Sequence, residues 1–337
     1  MKFKKYLLLL CFSFLFTAVC AQSTPPAGAK IYALVVGISG YQDAAIPKLN
    51  YADKDASLFT QWLQSKAGGS VPGYQVKLLT DENAGIAAVY SGLDWLKEVA
   101  AADDTVFIYF SGHGDIETKD SSSQGYLLAW NSPSNNYRNN AISIADVNNI
   151  ANTITTRNKA NVIIITDACH SGKMAGDFYK GRALTAANLR LVLNNQVRIA
   201  SCRGDEQAAE GPNWGGGRGV FSYYLLMGLN GKAGNNGQVK LRDLQSFLDT
   251  AFATDKYLKL DNHQQHPVSD GSPIFPVAKI DSAKMKALML NKNPAEIAQP
   301  AATAGLQSLK TIGHQPMDHF FEMAMQQGFD TSLPFTQ

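Results

Sequence analysis

The chain is expected to fold as an α/β domain, a mainly parallel central sheet flanked by helices, and two observations carry that expectation. Apolar, β-rich runs recur at Ile31 to Ile38, Tyr74 to Leu79, Thr105 to Phe110, Val162 to Ile165 and Gln196 to Ala200. Segments with apolar residues at helical spacing alternate with them. Strands that are apolar throughout are buried on both faces, and the order βαβαβαβ builds a parallel sheet with crossover helices.

Ile31 to Ile38 opens the sheet, and Asp53 to Gln64 follows with Ala56, Phe59, Trp62 and Leu63 on one helical stripe. The strand Tyr74 to Leu79 runs into Thr80, Asp81, Glu82 and Asn83, a helix-entry cluster ahead of an amphipathic segment from Ile86 to Ala100. Thr105 to Phe110 leads directly into Ser111-Gly112-His113-Gly114, after which Ile116 to Gln124 reads as a polar loop. Ser143 is placed to cap a helix carrying Ile144, Val147, Ile150 and Ile154. Val162 to Ile165 then leads to Asp167-Ala168-Cys169-His170-Ser171-Gly172, and Lys173 to Asn188 reads as a loop without a clear period. After the strand Gln196 to Ala200 and a turn at Gly215-Gly216-Gly217, helices are expected over Val220 to Leu229 and Leu241 to Phe252. From about Asp281 the composition changes. A short helical stretch over Ala283 to Leu290 gives way to a linker rich in Asn, Ala and Pro, Asn291 to Ala304, and then to an amphipathic Met317 to Gln327.

Residues 1–21 have the form of a signal peptide: Lys2, Lys4 and Lys5, an apolar stretch from Tyr6 to Ala18, and the small-x-small pattern Val19-Cys20-Ala21. An uncleaved anchor and lipidation at Cys20 are the alternatives. Cleavage implies an exported protein (periplasm, cell surface or medium) with no stable membrane insertion. Residues 22–280 then form one domain and residues 281–337 a C-terminal linker and short helical tail. Loss of the three signal lysines and no acid takes the formal charge from +2 to −1. No basic excess remains to displace counterions from nucleic acid. Of four cysteines, Cys11 and Cys20 leave with the signal, and Cys169 and Cys202 stay in a compartment that permits disulfides. One bridge or a redox pair between those two is the alternative to a free thiol.

His113 and Cys169 each sit just past the carboxyl end of an expected strand, where open α/β sheets place their chemistry. A thiol with a pKa of about 8.5 is only a few per cent ionised at neutral pH, so a nearby imidazole makes it a nucleophile. This is the layout of a cysteine hydrolase. The segments Val35-Val36-Gly37-Ile38, Ala52-Asp53-Lys54-Asp55-Ala56, Leu78 to Asn83, Tyr109 to Gly114, Thr166 to Gly172, Ser201-Cys202 with Asp205-Glu206-Gln207, and Gly219-Val220-Phe221-Ser222-Tyr223 carry a resemblance in order and spacing. The chain resembles the caspase-like cysteine peptidases, and within them the metacaspases and their bacterial relatives, over about residues 30 to 275. His113 and Cys169, 56 residues apart, fit the family spacing.

The resemblance implies a caspase-like three-layer sandwich and a cysteine endopeptidase with Cys169 as nucleophile and His113 as general base and acid. It also implies an oxyanion hole from the backbone N–H groups of Gly114 and Cys169, and an acidic pocket for the residue before the cleaved bond, built from Asp55, Ser111 and Asp167. Carboxylates there bind guanidinium or ammonium groups, so the expected substrate is a peptide or protein with Arg or Lys at that position. The structural alternatives are a helix-start acid for Asp55 and a strand-end polar residue for Asp167. His170 points away from Cys169 on a strand exit and is given no role. Lys180 and Arg182, in the stretch after Cys169, are candidate self-processing sites, the alternative being a solvated basic loop.

No cofactor is expected. Many metacaspases take Ca²⁺ on acids beyond the catalytic His, but Leu128 to Asn136 holds no carboxylate, which predicts Ca²⁺ independence. Asp115, Glu117 and Asp120 are the alternative Ca²⁺ ligands, in what reads instead as a solvated loop. His263-Gln264-Gln265-His266-Pro267 has ligand spacing without further Cys or His beside it, so no metal is expected there either. Trp214, ahead of three glycines, is a candidate wall of the substrate cleft. The competing functions are a hydrolase of different specificity and a non-catalytic caspase-like interaction module. The presence of both His113 and Cys169 speaks against the latter.

Overall fold

Five of the apolar runs become neighbours in one sheet. In a computed structural model that describes residues 28–116, 125–168, 195–203, 206–234 and 237–280, β1 (Ile31–Gly37), β2 (Val76–Thr80), β3 (Thr105–Ser111), β7 (Asn161–Asp167) and β8 (Gln196–Ala200) pair in parallel. A short β12 (Val268–Asp270) closes one edge antiparallel to β8, giving the order β12-β8-β7-β3-β1-β2. The expected mainly parallel sheet is therefore present, with one reversed edge strand.

Alternation along each strand divides the interior into two cores. Ala33, Val35, Phe107, Tyr109, Ile163, Ile165, Val197 and Ile199 face one side. There they pack against α1 (Ala52–Gln64), α4 (Val220–Met227) and α5 (Leu241–Thr254). Leu34, Val36, Val106, Ile108, Phe110, Val162 and Ile164 face the other, under α2 (Ile86–Val99) and α3 (Ile144–Thr156). Helices on both faces of the sheet make the three-layer sandwich. Helix α1 fits by the stripe read from sequence: Ala56, Phe59, Trp62 and Leu63 are buried, and Phe59 stacks on Tyr109 with ring centroids 4.5 Å apart. Helix α4 has no stripe, because all eight of its residues are buried.

Local chemistry explains where the structure departs from the sequence reading. Gly73–Gln75 forms a 3-10 turn after Pro72, so the second strand begins at Val76, and Tyr74 is exposed. Thr80 to Asn83 does not cap α2. Asp81 turns back to accept the N–H groups of Ser39 (2.8 Å) and Gly40 (2.9 Å), while Ile86 N–H donates to Asn131 Oδ1 at 2.9 Å. Ser143 does cap α3, its Oγ accepting from Asp146 N–H at 3.4 Å. Beyond β3 the chain forms a small antiparallel sheet of β4 (Gly114–Ile116), β5 (Gly125–Leu127) and β6 (Ile142–Ser143). The expected helix through Leu229 ends at Met227 in a π turn over Gly228–Lys232, where Gly231 takes φ 111°. Two-residue strands β9 (Glu210–Gly211) and β10 (Arg218–Gly219), the pair β11 (Gln238–Lys240) and β13 (Pro276–Lys279), and a short α6 (Lys256–Leu260) complete the described fold. No helix among the described residues is long and apolar enough to cross a membrane. The signal segment 1–21 and the whole of the tail, 281–337, lie outside the described residues.

Candidate active site

Register and period place the acidic residues. Gly37, Ser111 and Asp167 are paired side by side at the carboxyl edge of β1, β3 and β7. Period two puts Ser111 on the face of Tyr109 and Asp167 on the face of Ile165, the side covered by α1 and α4. Asp55 on the first turn of α1 reaches the same place from above. Asp55, Ser111 and Asp167 are all buried, at 1%, 1% and 0% exposure. The three residues expected to form one pocket are thus brought together.

What binds those carboxylates is the chain itself. Arg218, its side chain fully buried, donates from Nε to Asp55 Oδ1 at 3.1 Å, and Gly219 N–H donates to Asp55 Oδ2 at 2.8 Å. Ser222 Oγ–H donates to Asp167 Oδ2 at 2.8 Å, which leaves that hydroxyl oxygen to accept from Tyr109 O–H at 2.7 Å. A methyl group built on Gly219 would stand 2.9 Å from Asp167 Oδ2 and 3.0 Å from Asp55 Oδ2, so the backbone threads between both carboxylates. Burial pushes the Asp55 carboxyl up to about 7, against the pull of the Arg218 guanidinium and with a contribution from the Asp167 charge. The Tyr109 phenol is raised well above its ordinary value by burial and by the same two carboxylates. Ser111 Oγ, although buried, has no hydrogen-bond partner among the described residues.

His113 stands on the opposite side of the sheet edge. Gly112 N–H donates to Asp167 O at 3.0 Å, tying the ends of β3 and β7 together immediately before His113 and two residues before Cys169 in the sequence. His113 is fully buried. Its N–H donates to Tyr41 Oη at 2.7 Å, and its ring packs against Tyr41 with centroids 5.3 Å apart. His113 Nε2 lies 2.8 Å from the Pro47 carbonyl. A carbonyl only accepts, so Nε2 carries the proton, and the basic lone pair of the neutral ring is at Nδ1.

Gly114 begins β4, in register with Leu127, while Leu128 N–H donates to His113 O at 2.9 Å. Cys169, Lys180 and Arg182 lie outside the described residues. Trp214 is not a cleft wall at the surface. It is 5% exposed, and its indole N–H donates to Asp255 Oδ2 at 2.8 Å, beside the Tyr224 hydroxyl at 2.6 Å. His263 Nε2 meets the Gln207 carbonyl at 2.7 Å and His266 Nδ1 meets Glu206 at 2.5 Å, so the two imidazoles serve different partners. No metal-ligand cluster occurs among the described residues. Asp115 is buried and accepts from Tyr137 O–H at 2.8 Å. Within Leu128 to Asn136, Asn131 and Ser132 satisfy backbone N–H groups of Ile86 and Ala129. Cys202 is buried with its thiol 3.3 Å from the Glu206 carbonyl. The sequence reading missed Tyr41, the Pro47 carbonyl, Arg218 and Ser222. For Arg218 a signal existed: a lone cation among glycines, in a chain with two carboxylates expected in one pocket.

A family model described as the caspase domain matches residues 30–273. A Geobacter sulfurreducens protein of known crystal structure is similar at a TM-score of 0.50 and 16% identity, over 72% of this chain and 94% of that one. The structure of pro-sf-caspase-1 is similar at a TM-score of 0.44 and 12% identity, over 75% and 94%. No curated protein sequence matches the chain.

Proposed function

Because the chain belongs to the caspase-domain family, whose members are cysteine peptidases, we propose that it is an exported, metacaspase-like cysteine endopeptidase that cleaves after Arg or Lys. The observation that carries this reading is the seat of His113. The imidazole is buried at the carboxyl end of β3, its tautomer set by the Pro47 carbonyl, with Nδ1 as the base and Cys169 following the neighbouring strand end. The thiol proton of Cys169 passes to His113 Nδ1, and the thiolate attacks the peptide carbonyl carbon. The resulting oxyanion is met by the N–H groups of Gly114 and Cys169, as the resemblance implies. Collapse breaks the C–N bond, and His113 returns the proton to the leaving amine. Water, deprotonated by His113, then hydrolyses the thioester. The acidic pair Asp55 and Asp167 supports the basic specificity, since a guanidinium takes charge-assisted bonds from such carboxylates. The signal segment supports export.

The test is hydrolysis of short fluorogenic peptides ending in Arg, Lys or Asp by the mature chain. Turnover after Arg or Lys that drops about a thousand-fold or more in Cys169→Ala and His113→Ala is the expected result. Turnover after Asp alone keeps the peptidase and removes the specificity. Silence from a folded protein whose Cys169 resists alkylation leaves the interaction module.

A further inference from the structure

We propose that Arg218 is the resident occupant of the Asp55/Asp167 pocket: its guanidinium holds the place of a basic substrate side chain, which binds by displacing it. The inference rests on the basic specificity proposed above and adds what that specificity lacks, an account of why the pocket is full. Both carboxylates are buried, so a second cation cannot simply be added beside the first. Asp55 already uses one oxygen on Arg218 Nε and the other on Gly219 N–H. Among the described residues Arg218 is the guanidinium in contact with this pair, so an incoming cation exchanges with it rather than joining it. The Ser111 hydroxyl at the same strand end, without a hydrogen-bond partner among the described residues, is a further polar group for an incoming side chain to meet.

The segment that carries Arg218 is built to move one side chain. Residues 215–219 read Gly-Gly-Gly-Arg-Gly, so Arg218 supplies the only side chain in five residues. Gly215, Gly216 and Gly217 all take positive φ (55°, 71° and 113°), a run that favours glycine, and each has wide conformational freedom once the pair opens. The backbone of the segment is held by Gly217 N–H on Trp214 O at 3.1 Å and by the pairing of β10 with β9. An exposed bond from Lys54 Nζ to Gly216 O at 3.2 Å lies outside them, so the part that exchanges is the Arg218 side chain. A bidentate arginyl substrate can replace the Nε contact of Arg218 and compete for Asp167 as well. While Arg218 is in place, only a fraction of molecules is competent, and KM for a basic substrate rises by the inverse of that fraction. A purely structural ion pair, pinning the start of α4 to α1, would have none of these consequences.

Two variants and one ligand separate the cases. Arg218→Ala, on the Cys169→Ala background, opens a site sized for a guanidinium. Ethylguanidinium is then expected to raise its melting temperature by several degrees at millimolar concentration and to leave the Arg218 parent unmoved, as linkage requires. No differential rise overturns the proposal. Arg218→Lys, with Cys169 intact, retains the charge and the pairing while giving up the fork geometry. Its KM for an arginyl peptide is expected to fall by about three-fold or more relative to the native chain. An unchanged or higher KM in folded Arg218→Lys overturns the proposal while leaving basic specificity standing. Cleavage after some other residue by every form, with none after Arg or Lys, overturns the specificity itself and with it the displacement.

Discussion

Replacing Tyr41 by Phe removes one oxygen from behind the imidazole proposed as the base, and the structure sets the size of the effect. Tyr41 Oη accepts the His113 N–H at 2.7 Å in a site where both residues are buried. The aromatic ring that packs on the imidazole at 5.3 Å is kept by Phe, so no cavity forms beyond the lost hydroxyl. The substitution leaves a buried backbone N–H without its acceptor, a cost of about 1–3 kcal/mol. For a domain of this size about 2 kcal/mol corresponds to a fall in Tm of roughly 4–8 °C. The N–H will recover part of that by turning toward another acceptor, which moves the His113 backbone and with it Nδ1. A sub-ångström misplacement of a general base is expected to lower kcat about ten-fold with KM little changed. Thermal unfolding and steady-state kinetics on the same preparation read both effects. A Tm within about 1 °C of the native chain together with an unchanged kcat would refute the argument that Tyr41 seats His113.

Other outcomes follow from particular groups. The Asp55 carboxyl titrates near 7 in the fold and near 3.9 in an unfolded chain, so between those values the native state holds a proton that the unfolded state has lost. Its contribution to stability is therefore present at acid pH and falls as pH rises through about 7, a slope that Asp55→Asn removes and that denaturant titrations at several pH values measure. Asp255 accepts Tyr257 N–H and Leu258 N–H at the start of α6 through Oδ1, and Trp214 and Tyr224 through Oδ2. Asp255→Ala loses the cap and orphans two buried donors, which costs about 3–5 kcal/mol in urea unfolding. A loss under about 1 kcal/mol shows that the donors find other acceptors. Millimolar Ca²⁺ or chelator is expected to leave turnover unchanged, and a several-fold activation by Ca²⁺ reverses that expectation.

The sheet was legible because strands buried on both faces are continuous apolar runs, and α1 because Ala56, Phe59, Trp62 and Leu63 share one stripe. Strands β4, β5 and β6, of three, three and two residues, are too short for a period to register. Thr80 to Asn83 misled for a tertiary reason: the capping carboxylate had a better use on Ser39 and Gly40. In the site, His113, Asp55, Ser111 and Asp167 could be named because their side chains recur in motifs. The Pro47 carbonyl could not, since a backbone oxygen leaves no signature in sequence and only the fold brings residue 47 to residue 113. Arg218 was visible as a residue but not as a partner. The contact joins positions 163 apart, and nothing local announces it.

The sheet also acts as a partition. His113 packs with Tyr41 in the core beneath α2 and α3, whereas Asp55, Asp167, Ser222 and Arg218 are set in the core beneath α1 and α4. The proposed base and the proposed recognition pocket thus rest on different hydrophobic residues, with only the strand ends in common. On the proposed function, repacking one core changes which residue is accepted without disturbing His113, and repacking the other slows the chemistry without changing the choice. A lineage drifting in sequence would be free to alter its diet one wall at a time.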